Sequence, residues 1–204
     1  FKGKEYEVKL LQHNDDFKDV DIAFTSAGAG TSKEFAADIT KYGAVMIDNS
    51  SAFRMCDDVP LVVPEINAED VKKNKGIISN PNCSTIITLV AVNALNKLSK
   101  ITGMVASTYQ ATSGAGAQGP IELREQSKAL LEGGEIKNEV FQYQIAENVI
   151  PHIGSFNENG YTTEEMKMQN EGRKILHLPE LKVTCTCVRV PVVRSHSISV
   201  TVIT

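Results

Sequence analysis

Val20-Asp-Ile-Ala-Phe-Thr-Ser-Ala-Gly-Ala-Gly30 is a short apolar run that stops on small residues. A run of this length, bounded by Gly, reads as a buried strand leading into a turn. A helix is expected next, from about Ser32 to Lys41, ended by Gly43. Ala44-Val-Met-Ile-Asp48 reads as a second strand, Leu61-Val-Val63 as a short third and Gly76-Ile-Ile-Ser79 as a fourth. Strands that alternate with helices argue for a parallel α/β sheet. Ligands of such sheets gather at the carboxyl ends of the strands. Ser26-Ala27-Gly28, Asp48-Asn49-Ser50-Ser51 and Asn80-Pro81-Asn82-Cys83 all fall at such ends.

Downstream the style changes. A strong helix is expected from Ser84 to about Leu98, with Ile86, Ile87, Val90, Ala94 and Leu98 among its apolar residues. Met104 to Gln110 reads as a strand that runs into Ser113-Gly-Ala-Gly116, and a charged helix covers Ile121 to Leu131. Thr162-Thr-Glu-Glu165 has the form of a capping box, opening a helix that continues to about Leu176. Lys182 to Val193 and Ser197 to Thr204 alternate over long stretches. That pattern suits an antiparallel sheet with one covered face. The boundary between the two styles is placed near Cys83–Ser84, giving domains at 1–83 and 84–204.

The chain has 204 residues and a formal net charge of −4. It carries no basic footprint for nucleic acid or anionic membrane. No apolar run approaches the ~20 residues of a membrane span. Four cysteines are present, Cys56, Cys83, Cys185 and Cys187, and their spacing fits no zinc framework. Cys185, Cys187 and Arg189 share one face of a strand, and the two cysteines read as packing residues. His13, His152 and His177 have no evident partners in the sequence. The opening Phe1-Lys-Gly-Lys-Glu-Tyr6 lacks Met and is not a signal peptide, and Val202-Ile-Thr204 stops inside strand-like sequence. An internal piece of a longer protein is expected.

Cys83 stands directly before a helix. Free N–H groups and the dipole at a helix N-terminus favour a thiolate, which can attack a carbonyl carbon. By spacing alone, a small buried hydrophobe in the same place is an equal reading. The surrounding segments decide between them. Asn80-Pro-Asn-Cys-Ser-Thr85 resembles the active-site motif of aspartate-semialdehyde dehydrogenases. So do Asp48-Asn-Ser-Ser-Ala-Phe-Arg-Met55, Ser107-Thr-Tyr-Gln-Ala-Thr-Ser-Gly-Ala-Gly116 and Asn148-Val-Ile-Pro-His-Ile153. Glu164-Glu-Met-Lys-Met168 and Cys187-Val-Arg-Val-Pro-Val-Val-Arg-Ser-His-Ser197 complete the resemblance, which runs along the whole chain in the family's order.

The resemblance implies a partial Rossmann-like α/β domain followed by an α+β catalytic and dimerisation domain with a mostly antiparallel sheet. It implies a reversible conversion of L-4-aspartyl phosphate to L-aspartate 4-semialdehyde, with NADPH as reductant, on the route to lysine, threonine and methionine. Cys83 matches the family's nucleophile, His196 its acid/base histidine and Gln110 the glutamine that orients substrate. Arg189 matches the carboxylate-binding arginine, a role that suits its planar fork. Glu164 matches the partner of the substrate amine, and Arg54 and Lys167 the phosphate binders; Asn82, bordering the nucleophile, is a further substrate-binding residue. Ser26, Ala27, Gly28, Ser113 and Gly114 are implied to lie near the nicotinamide of NADP. No metal is implied. A cytoplasmic homodimer, in some members a homotetramer, is the implied setting.

Ser26-Ala-Gly-Ala-Gly30 is not the G-x-G-x-x-G of a dinucleotide fingerprint. The preference for NADP therefore rests on resemblance, and this chain alone is expected to be inactive. Ser195 stands where Gly or Cys is usual, and Ile198 where Glu or Gln is common. N-acetyl-glutamyl-phosphate reductase shares the chemistry but has Gly before the cysteine and Tyr after it, where this chain has Asn82 and Ser84. Glyceraldehyde-3-phosphate dehydrogenase has Ser-Cys-Thr-Thr there. A non-catalytic remnant that only dimerises is the alternative from another class.

Overall fold

The computed structural model describes residues 1–204. The chain divides into two compact units, one of residues 1–60 with 69–80, the other of residues 61–68 with 81–204. The last break, between Asn80 and Pro81, lies a few residues before the expected Cys83–Ser84 boundary. Leu61–Ala68 joins the second unit because its apolar side chains, Leu61 and Val63, pack into that unit's core. Leu61-Val-Val63 consequently makes no strand beyond a single bridge at Leu61.

In the first unit, β1 (Ile22–Thr25), β2 (Val45–Asp48) and β3 (Ile77–Ser79) form a parallel sheet in that order. Helix α1 (Ala29–Thr40) lies between β1 and β2 in the chain and buries Phe35, Ala36 and Ile39 against Ala23 and Met46. Asp48 ends β2 fully buried. Its carboxylate accepts from the hydroxyls of Thr25 at 2.8 Å, Ser32 at 2.7 Å and Ser50 at 2.7 Å, which ties the strand ends to α1. His13 does have partners: its ring stacks on Phe35, and Nδ1 lies 2.8 Å from Asp38.

The second unit contains the short helix α2 (Pro64–Asn67), α3 (Cys83–Asn96), β4 (Gly103–Gln110), α4 (Gln118–Glu132), α5 (Thr163–Ile175), β5 (Lys182–Arg189) and β6 (Ser197–Ile203). Its sheet has the order β5-β4-β6. The β4–β6 pair is antiparallel as expected, but β4 and β5 run parallel, so the sheet is mixed. Neighbours in a parallel pair need a crossover, and the chain between β4 and β5 includes α4 and α5. One sheet face buries Met104, Ala106, Cys185 and Cys187 with Leu89, Val92, Met168 and Ile175 of α3 and α5. Strand β5 stops at Arg189 rather than Val193, because Val190 and Val192 leave the ladder to bond Gln110 and the turn beyond it.

Helix α5 begins with the predicted capping box. Glu165 N–H donates to Thr162 Oγ1 at 3.3 Å, and Thr162 N–H donates to Glu165 Oε2 at 2.7 Å. Its inward stripe is Glu164, Met168, Glu171, Gly172 and Ile175, the spacing of one helical face. Two carboxylates sit on that stripe where apolar residues would be ordinary. No helix is long and apolar enough to cross a membrane.

Candidate active site

The sheet register of the second unit brings the site together. Gln110 and Arg189 are the paired last residues of β4 and β5, and Ser197 opens β6 opposite Tyr109. Gln110, Arg189 and His196 therefore converge on one end of one sheet, although 86 residues separate the first from the last. The N-terminus of α3 supplies Cys83, and the first two turns of α5 supply Glu164 and Lys167.

Asn82 is the N-cap of α3. Its side-chain oxygen accepts from the N–H groups of Ser84 at 3.0 Å and Thr85 at 3.3 Å. Its amide nitrogen donates to Glu164 Oε1 at 2.9 Å, and its own backbone N–H donates to Glu171 Oε2 at 2.7 Å. Gln110 Nε2 reaches both Ser84 Oγ at 2.9 Å and Glu164 Oε1 at 3.1 Å. Lys167 Nζ donates to Glu164 Oε2 at 2.8 Å. Asn82, Ser84, Gln110 and Glu164 are all buried, whereas Cys83 is exposed. The nucleophile candidate is thus an exposed residue, its thiol partly shielded from water, between two residues of a buried polar network.

Glu164 sits at the centre of this base. Burial alone would raise its pKa, but Lys167, Gln110 and Asn82 together outweigh that and hold it below the usual carboxylate value. A carboxylate so placed has a cost for its neighbour. Burial first, and Glu164 second, push the Cys83 thiol above its ordinary value. The Ser84 N–H and Arg189 pull the other way and do not prevail. At Cys83 burial and Glu164 thus oppose the effect expected of the helix N-terminus. Cys185 and Cys187 lie in the core with their sulfurs 3.6 Å apart. The hydrogen bond shared with Cys187, with burial, pushes the Cys185 thiol far up, which keeps it protonated and inert.

Ala111 links the other two groups. Its N–H donates to His196 Nδ1 at 2.9 Å, and its carbonyl accepts from Arg189 Nη1 at 2.8 Å. Gly114 passes close over both: a Cβ there would lie 3.0 Å from Arg189 Nη1 and 3.1 Å from His196 Nε2. Gly114 therefore fits a position where backbone must approach side chains closely. Ser113, half-buried beside it, is anchored by its N–H to the Val193 carbonyl at 3.2 Å.

Arg54, Ser26, Ala27 and Gly28 belong to the first unit. Arg54 is buried and donates from Nε to the Asn80 carbonyl at 2.9 Å and from Nη2 to the Asn49 carbonyl at 3.0 Å. Ser26, Ala27 and Gly28 are exposed at the carboxyl end of β1, and Gly28, with φ 94°, turns the chain into α1. Nothing lies within 4 Å of where a Gly28 Cβ would stand. That open helix N-terminus fits part of a dinucleotide laid against it.

Sequence reasoning did not single out Glu171 or the Ala111 peptide. Glu171 had a signal, a carboxylate two turns beyond Glu164 on the inward stripe of an amphipathic helix. Ala111 had none, because it acts through backbone atoms.

Residues 92–204 match the family model "Semialdehyde dehydrogenase, dimerisation domain", and residues 1–74 match "Semialdehyde dehydrogenase, NAD binding domain". An aspartate-semialdehyde dehydrogenase of Aquifex aeolicus is 56% identical over 203 residues, covering 98% of this chain and 60% of that protein. One from Synechocystis is 48% identical over 97% of this chain and 58% of its own length. The crystal structure of aspartate semialdehyde dehydrogenase II from Vibrio cholerae superimposes with a TM-score of 0.90 at 46% identity, over 92% of this chain and 56% of that one. A second structure of the Vibrio cholerae enzyme, complexed with ASA, matches equally well. The chain thus spans about 60% of the length of the curated relatives it matches. With one of the two models alone covering more than half of its residues, the chain belongs to the semialdehyde dehydrogenase family.

Proposed function

We propose that this chain carries the catalytic machinery of an aspartate-semialdehyde dehydrogenase, reversibly converting L-4-aspartyl phosphate and NADPH to L-aspartate 4-semialdehyde, phosphate and NADP. The observation that carries the reading is the exposed residue Cys83, flanked in the chain by Asn82 and Ser84 of the buried Asn82–Glu164–Gln110–Ser84 network. Cys83 attacks the acyl carbon, phosphate leaves and a thioester remains. NADPH supplies the hydride that reduces the thioester, and the thiolate is released with the aldehyde. Gln110 orients the substrate beside Cys83, and Arg189 takes its carboxylate through the planar guanidinium. Glu164 takes the ammonium. Its Lys167 partner, 2.8 Å away, is a phosphate binder within reach of the same carboxylate. Arg54 is the second phosphate binder proposed. Gly28 with Ser26 and Ala27, and Gly114 with Ser113, contact the nicotinamide end of the cofactor.

The setting proposed is a cytoplasmic homodimer, with pairing of dimers into a tetramer as a further step, acting in lysine, threonine and methionine synthesis. The Aquifex aeolicus aspartate-semialdehyde dehydrogenase, 56% identical over 203 residues, supports the substrate class. The test is an assay of the full-length parent for NADPH formation from aspartate semialdehyde and NADP. Phosphate-dependent turnover, abolished in Cys83→Ala, is expected. Turnover that ignores phosphate, or survives loss of Cys83, defeats the reading.

A further inference from the structure

We infer that Phe141 is a positioning residue for recognition of the substrate carboxylate: its ring holds the Arg189 guanidinium in place, and two buried polar side chains of α4, Glu122 and Gln126, hold the ring. The inference deepens the enzyme reading above and rests on it. Arg189 Cζ stands over the Phe141 ring, 5.8 Å from its centroid. That is within the reach of a cation–π attraction, which is stronger where water is excluded. Both residues are buried. Burial pulls the Arg189 pKa down from its ordinary value, with Glu164 opposing, so a buried cation here needs electrostatic support.

The kind of support matters for function. The Ala111 carbonyl takes one N–H of the guanidinium, from Nη1 at 2.8 Å. A ring face fixes a cation without accepting any of its hydrogen bonds, whereas a carboxylate partner would occupy the fork. Phe141 therefore locates the guanidinium and leaves donors for an incoming carboxylate. The same segment also fixes the Arg189 backbone: its N–H and carbonyl pair with the carbonyl and N–H of Ile150, both at 2.9 Å.

Residues 137–146 form no helix or strand, so their backbone groups need other partners. Helix α4 provides them from two buried side chains one turn apart. The Glu122 carboxylate accepts from the N–H groups of Glu139 at 3.0 Å, of Val140, and of Phe141 at 3.3 Å. Gln126 Oε1 accepts from the N–H groups of Ile145 at 2.8 Å and Ala146 at 3.1 Å. Its Nε2 donates to the Lys137 carbonyl at 2.8 Å and to Glu122 Oε1 at 3.1 Å. Apolar contacts with Leu123, Ile145 and Ile150 would bury Phe141 in any case. The contact with a buried cation at the substrate site is what a plain core residue would lack.

Phe141→Leu and Phe141→Tyr in the full-length parent test the role. Leu stays apolar but has no π face, and Tyr keeps one. For Phe141→Leu, KM for aspartate semialdehyde should rise roughly 3–30-fold, while kcat and the KM values for phosphate and NADP stay within about twofold. Phe141→Tyr should return the raised KM to within about threefold of wild type. A comparable change in all three KM values, a fall in kcat alone, no change, or failure of Tyr to rescue overturns the inference. In the 204-residue chain, NMR should show the Arg189 guanidinium protons shifted upfield by the ring, an effect lost in Phe141→Leu and kept in Phe141→Tyr. Unshifted protons in the wild type overturn the inference as well. Failure of the enzyme reading looks different: the wild-type parent gives no phosphate-dependent turnover, and the upfield shift still depends on Phe141.

Discussion

Asn82 donates through Nδ2 to Glu164 Oε1 at 2.9 Å while its Oδ1 caps α3 through the Ser84 and Thr85 N–H groups. One side-chain amide thus couples the start of the nucleophile's helix to the central carboxylate of the site. Asp would satisfy the cap equally well but would turn an oxygen on Glu164. Asn82→Asp should therefore destabilise the protein at pH 7 by about 2 kcal/mol, since a buried donor is lost and like charges meet. The gap to wild type should narrow as pH falls and one carboxyl is protonated. Urea denaturation at several pH values measures this, and a gap independent of pH would contradict it.

Glu171 holds the same turn from the other side, accepting the Asn82 N–H at 2.7 Å while only 2% exposed. Glu171→Leu leaves that buried N–H unmet, and a loss of about 1–3 kcal/mol in stability is expected. Because the turn leads directly into Cys83, the rate of Cys83 alkylation at fixed pH should change too. Glu171→Gln, which keeps an acceptor oxygen, should recover most of both.

Cys83 should be the fastest of the four thiols to alkylate, because it is exposed whereas Cys56 is half-buried and Cys185 and Cys187 are buried. Its rate should rise with pH through a midpoint above the ordinary thiol value, because burial and Glu164 disfavour the thiolate. Glu164→Gln removes the negative charge and should move that midpoint down. Peptide mapping after iodoacetamide treatment across pH 7–10 reads both effects. A midpoint below the ordinary value would restore the idea of a preformed thiolate.

The carboxyl of Glu164 is held below its usual value, so its contribution to stability is present above about pH 4.5 and is lost as pH falls through the lowered value. Lys167→Met removes the ammonium 2.8 Å from Glu164 Oε2. The variant should be less stable near neutrality and should lose less on acidification between pH 5 and pH 3. Denaturation midpoints over that range check the sign.

Arg189→Lys keeps a positive charge but gives up the planar fork and the fixed bond to the Ala111 carbonyl, 2.8 Å long. In the full-length parent, kcat/KM should fall by roughly 2–4 kcal/mol equivalent, the cost of breaking a buried ion pair with substrate. A small effect, no larger than that of replacing a surface lysine, would remove Arg189 from the substrate site.

The sequence determined the elements and the residues worth watching. Alternation and apolar runs placed β1, β2 and β3 and the strands around Gln110 and Arg189, because the periods of strand and helix are local properties. The Thr162–Glu165 capping box was readable because both of its bonds lie within four residues. Motif order pointed to Cys83, Gln110, Glu164, Arg189 and His196 before any contact was known. Tertiary structure alone decided how strands pair, since nothing in β4 or β5 says that they run parallel. It also moved Leu61–Ala68 into the second unit, where their burial is decided by distant residues. The Cys83 thiol is pushed up by burial first and then by Glu164, 81 residues away in the chain, neither of which is local to the helix N-terminus. The bond from the Ala111 N–H to His196 Nδ1 uses a peptide group that every residue but proline possesses, and only the folded chain brings the two together.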